Sequence, residues 1–143
     1  MNEGLQLYLL EAKKHKTQYL FELNELKDDL IAGDFKSRDY RATERVLQIF
    51  TELCIGLAKH WLKSIQGSSA NEAYQTFSLL KEHGVICSDE LQLWKRIIGM
   101  HNGLLHDYLN IDLLIVENII KREQYIALGL FADKVIDVLL KNK

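Results

Sequence analysis

Apolar residues recur along most of this chain at intervals of three, four and seven, the period of helices that bury one face. From Glu3 to about Ala32, Leu5, Leu9, Ala12, Tyr19, Leu23, Leu26 and Leu30 trace one such stripe, and Gly33 supplies a stop. A second helix starts at Ser37 or Asp39, carries Val46, Phe50, Leu53, Cys54, Leu57, Trp61 and Ile65, and ends at Gly67. A shorter third opens on Ser69-Ala70-Asn71-Glu72, the spacing of a capping box, turns Tyr74, Phe77 and Leu80 inward, and closes at His83-Gly84. Ser88-Asp89-Glu90 begins a fourth, in which Leu91, Trp94, Ile97 and Ile98 pack while Lys95 and Arg96 face water, and Gly99 and Gly103 loosen its far end. Asp112 caps a last helix of about thirty residues that runs to Leu140. The pattern predicts an all-α, up-and-down bundle of four main helices plus one short helix, with residues 1–143 as a single domain.

Composition agrees with that frame and narrows the function. Proline is absent, which suits long helices joined by glycine or polar turns. A net charge of −2 argues against a protein that coats nucleic acid by bulk electrostatics, while leaving room for contact with a few phosphates. Lys13-Lys14-His15-Lys16 reads as a solvated face, as do Lys59, His60 and Lys63, where a contact to an RNA backbone is the lesser alternative. Two cysteines, Cys54 and Cys87, lack metal-ligand spacing and read as reduced thiols, Cys54 in the core. No apolar run reaches the roughly 20 residues that span a bilayer, and the first residues carry no signal-peptide pattern, so a cytoplasmic protein is expected.

The candidate chemistry lies in Gly99-Met100-His101-Asn102-Gly103-Leu104-Leu105-His106-Asp107-Tyr108, where polar residues and glycines interrupt the helical stripe. Asn102 and His106, four apart, share one helical face. His101 and His106, five apart, diverge by about 140°, which disfavours a metal site between them, and no metal or other cofactor is expected. A thiol or hydroxyl nucleophile paired with a base has no supporting spacing. The remaining reading is metal-free RNA cleavage, in which a histidine with an ordinary pKa near 6.5 moves a proton while polar groups hold the phosphate. A histidine in such a place is more often a structural hydrogen-bonding group than a catalyst.

The segment from Trp94 to Tyr108 resembles the signature of HEPN-domain ribonuclease toxins of the HepT type: an arginine, a polar residue often Asn, a few further residues, then His, any residue, and Tyr. The similarity extends to Arg45–Trp61 with its internal Glu52, to Tyr74–Leu80 with Gly84-Val85-Ile86, and to Ile111–Val116. It implies a HEPN-like helical fold and a homodimer whose motifs face each other across a cleft for RNA. It further implies a partner antitoxin, a minimal nucleotidyltransferase that transfers AMP to Tyr108. In that reading His106 is the acid or base, Asn102 positions RNA, and Glu52 orients His106 or the arginine. The expected activity is that of a metal-independent endoribonuclease acting on tRNA or mRNA, the toxin of a type VII-like toxin-antitoxin module.

One departure matters. The position of the motif arginine is held by His101, and Arg96, ten positions before His106, is a poor substitute. Arginine carries a permanent charge, five donors and a long reach, none of which a neutral imidazole offers. The chain is therefore expected to be attenuated or inactive, and a solvated His101 should be exchangeable without disturbing the fold. The alternative reading is a non-catalytic helical module that docks or presents substrate to a nucleotidyltransferase.

Overall fold

The computed structural model describes residues 3–106 and 113–141, with the side chains of 104–106 outside that description. Its described residues form six helices and no strand: α1 (Glu3–Ile31), α2 (Ser37–Gln66), α3 (Ala73–Glu82), α4 (Ser88–His106), α5 (Leu113–Lys121) and α6 (Ile126–Lys141). The all-α class and the first two helices follow the periodicity closely. Gly33, Gly67 and Gly84 all take positive φ, between 77° and 83°, just beyond α1, α2 and α3, where a side chain would be strained. At the start of α2 the Lys36 amide donates to Asp39 Oδ2 at 2.9 Å.

Four sequence expectations need correction. The capping box at Ser69–Glu72 does not form: α3 begins at Ala73, Glu72 is its N-cap and makes no side-chain cap bond. Tyr74 is exposed, and buried Thr76 joins Phe77 and Leu80 instead, because the true start of the helix rotates the inward face by two positions. α4 runs unbroken through Gly99 and Gly103, since a helix already anchored by packing absorbs the roughly 1 kcal/mol that each glycine costs. The last long helix is two, interrupted at 122–125, where Glu123 takes φ 53° and α6 sets off anew. Asp112, the expected cap of that helix, lies outside the described residues.

α2 is the hub of the bundle and packs against every other helix, while α1 lies along α5 and α6. Aromatic rings hold α4 in place. Phe77 of α3 stacks on Trp94 of α4 at 4.5 Å between centroids and 11° between planes, and Phe131 of α6 meets Trp94 edge-on at 4.7 Å. Trp61 of α2 closes the group against Phe131 at 6.1 Å. Each such pair adds about 0.5–1.5 kcal/mol beyond the apolar area it buries. The helix that carries the polar motif is thereby pinned near its start to three others. Cys54 is fully buried, its thiol donating to the Leu128 carbonyl at 3.4 Å, with burial raising its pKa far above the ordinary range. Cys87 is exposed.

Two of the presumed solvated faces are more engaged than expected. Lys16 reaches Asp133 of α6 at 2.8 Å, tying α1 to α6. Lys59 donates to the Asn71 carbonyl at 3.1 Å, and His60 lies half-buried with its ring 4.6 Å from that of Tyr8. Neither Lys59 nor His60 is therefore placed as a free phosphate contact. No described helix is long and apolar enough to cross a membrane.

Candidate functional site

The inward stripe of α4 is Leu91, Trp94, Ile98 and then His101, spaced three, four and three. His101 continues the apolar stripe, so its imidazole turns into the bundle and is only 8% exposed. The expectation of a solvated His101 is overturned by this placement. Its spacing from Trp94 and Ile98 is a signal present in the sequence; the eye is drawn instead to the polar residues on either side. His101 Nε2 lies 3.4 Å from Oε1 of Glu52, an exposed carboxylate on α2 at the far end of hydrogen-bond range. Glu52 thus stands beside the motif helix and faces position 101.

Asn102, the next residue along α4, is exposed, one step of about 100° round the helix from His101. His106 is the last residue of α4 and keeps the four-residue spacing from Asn102 on a continuous helix. The His106 side chain and Tyr108 lie outside the described residues. The structure thus brings Glu52 and His101 together and leaves Asn102 on an adjoining, solvent-facing strip. Among the described residues no three His, Cys, Asp or Glu side chains cluster so as to hold a metal.

Beside His101 opens a cavity of about 450 Å³ between α4, the break at 122–125 and the first turn of α6, with α2 as its floor. Its walls are mainly apolar, from Leu93, Ile97, Met100, Ile119 and Leu128. Arg96, His101, Glu123 and Gln124 supply the polar lining, together with Thr51, whose hydroxyl donates to the Leu47 carbonyl at 2.8 Å. Sequence reasoning did not find this cavity, because it exists only where the chain breaks between α5 and α6, and no glycine or proline marks that break. Glu123 is ion-paired with Lys27 of α1. The Tyr125 hydroxyl donates to Asn24 Oδ1 at 2.6 Å, and burial, with Glu123 and Asp28 nearby, pushes its pKa up to about 12. These two ties to α1 fix the loop that forms one wall.

Comparison with known proteins gives this geometry its context. Residues 17–135 match the family model described as Ribonuclease HepT-like. A chain of a toxin-antitoxin crystal structure with AMP-PNP superposes with a TM-score of 0.76 at 20% identity, covering 95% of this chain and 99% of that one. A chain from the complex of tri-AMPylated Shewanella oneidensis HEPN toxin with MNT antitoxin gives a TM-score of 0.74 at 19% identity, covering 97% and 98%. At such identities the likeness speaks for the fold. No curated protein sequence matches the chain.

Proposed function

We propose, from the premise that this chain belongs to the HepT-like ribonuclease family, that it is the toxin of a toxin-antitoxin pair with the machinery of a metal-independent endoribonuclease. The family match over residues 17–135 carries this reading. In the cleavage step a base takes the proton of a ribose 2′-hydroxyl as its oxygen bonds to phosphorus, and an acid gives a proton to the departing 5′-oxygen. His106 supplies one of these functions, and His106 of the partner subunit supplies the other across the interface of a homodimer. Asn102, exposed one turn before His106, holds the RNA. Residues 1–143 act as one HEPN-like unit.

Position 101 decides how fast that chemistry runs. An arginine there would pass Glu52 and extend beyond the bundle wall toward the Asn102 strip, with the carboxylate setting its direction. The shorter imidazole ends inside the wall, 3.4 Å from Glu52 Oε1. Glu52 is then a positioning residue for whatever stands at 101, and the chain as it stands is attenuated. The partner is a nucleotidyltransferase antitoxin that transfers AMP to Tyr108, adding negative charge and bulk two residues from His106. The chemistry of two structural relatives supports this, one solved with AMP-PNP and one tri-AMPylated in complex with MNT antitoxin.

The deciding experiment is RNA cleavage in the presence of a chelator, with tRNA and mRNA offered separately. His101→Arg should cleave roughly 100-fold faster than the parent or more, the scale set by removing a donor that stabilises a charged transition state. His106→Ala in that background should abolish the gain. Strong cleavage by the parent refutes the attenuation, and no gain from His101→Arg favours a docking subunit without catalysis.

A further inference from the structure

The cavity beside His101 has features of a ligand site that the cleavage chemistry does not use. At about 450 Å³ it falls within the range of about 300–1,000 Å³ typical of small-molecule pockets, and its apolar walls with a few polar groups fit the same description. Three of the polar groups are distinctive. Arg96 makes no ion pair among the described residues, and Glu123, the acidic side chain on the lining, is drawn off by Lys27. The Gln124 side-chain amide likewise makes no hydrogen bond among the described residues, so a donor and an acceptor stand ready at the rim. Met100 presents a polarisable thioether beside Ile97, a surface on which a flat aromatic ring packs well.

An apolar slot, a free carboxamide and an unpaired guanidinium together match one chemistry: a purine nucleotide, its ring in the slot, its base edge on Gln124 and its phosphate on Arg96. Asn102 adjoins the cavity wall along α4, so a nucleotide held here is next to the strip on which the RNA runs. We infer that this cavity is a base-binding subsite that takes an unstacked purine nucleotide of single-stranded RNA, with Arg96 and Gln124 as its binding residues; the inference rests on the ribonuclease reading above. Such a subsite would confer a preference for where the strand is cut, since an unstacked base is recognised where a stacked one is not.

Methionine methyl NMR offers a direct test, because the chain has two methionines and Met100 is the one at the cavity. A purine-containing single-stranded oligoribonucleotide and 5′-AMP should each shift the Met100 methyl resonance and leave Met1 unmoved. Ala127→Trp, which fills the mouth from a half-buried position on the lining, should remove the response while circular dichroism confirms the fold. Arg96→Ala should weaken AMP about tenfold and leave adenosine unchanged, and Gln124→Ala should weaken both. A silent Met100 with both ligands overturns the inference, and so does a response to AMP without one to the oligonucleotide, which assigns the cavity to free nucleotides. Cleavage is scored separately in the His101→Arg background: binding without cleavage retires the ribonuclease reading and keeps the subsite, and unchanged cleavage sites and rates in Ala127→Trp do the reverse.

Discussion

At the scale of single residues, burial decides roles that residue type leaves open. His101 and His60 are both half-engaged histidines in polar surroundings on paper, yet one fills the end of an apolar stripe and the other lies against Tyr8. Burial, with Lys63 nearby, lowers the pKa of His60. The sign of its effect on stability follows. Between the unfolded value of about 6.5 and the lower folded value, the unfolded state binds more protons, so the His60 contribution is whole above about pH 6.5 and is lost as pH falls through the folded pKa. The urea midpoint of the parent should therefore drop between pH 7 and pH 5 by more than that of His60→Phe. Equal drops would show that the ring titrates alike in both states.

Between elements, close approach is the controlling quantity. Gly129 of α6 sits against Leu20 of α1: a Cβ built there would lie 2.9 Å from Leu20 Cδ1, 3.2 Å from Cδ2 and 3.4 Å from Cγ. α6 can lie on α1 at this distance only because position 129 has no side chain, and Lys16 with Asp133 secures the same pair of helices from one side. Gly129→Leu should cost roughly 1–3 kcal/mol by overpacking, read as a lower urea midpoint with an unchanged m-value. A neutral result would mean that α1 and α6 slide apart without loss, against the fully buried packing of Leu23, Ala132 and Val135 nearby. The interruption between α5 and α6 belongs to this scale as well. Leu113–Lys121 and Ile126–Lys141 carry phases that read as one helix, and Arg122-Glu123-Gln124 is polar in a way that any solvent-facing turn of a continuous helix is polar. The ties of Glu123 to Lys27 and of Tyr125 to Asn24 select the break, and both partners lie about a hundred residues away in sequence.

For the whole molecule, the family assignment turns the arrangement of α4 into a prediction about a partner. If Tyr108 is the acceptor of AMP, then incubating the chain with ATP and the nucleotidyltransferase encoded beside it should add AMP mass to the peptide containing Tyr108, and Tyr108→Phe should remain unlabelled there. Labelling of Tyr108→Phe to the extent of the parent would sink that assignment. An expected homodimer through the motif face makes the modified residue a neighbour of both catalytic histidines, so that one modification bears on a shared cleft.

What the sequence determined by itself is the class of fold and the chemical vocabulary of the site. The three-four-seven stripes, the glycines at 33, 67 and 84 and the spacing of Asn102 and His106 are local facts, governed by helix geometry and backbone sterics that need no distant partner. Tertiary structure alone decided the rest. The inward turn of His101 toward Glu52 depends on which helix α4 faces, the split of α5 from α6 depends on anchors in α1, and the cavity beside Met100 depends on that split. Each is a contact between residues far apart in the chain, and periodicity describes a helix's own faces without saying what stands opposite them.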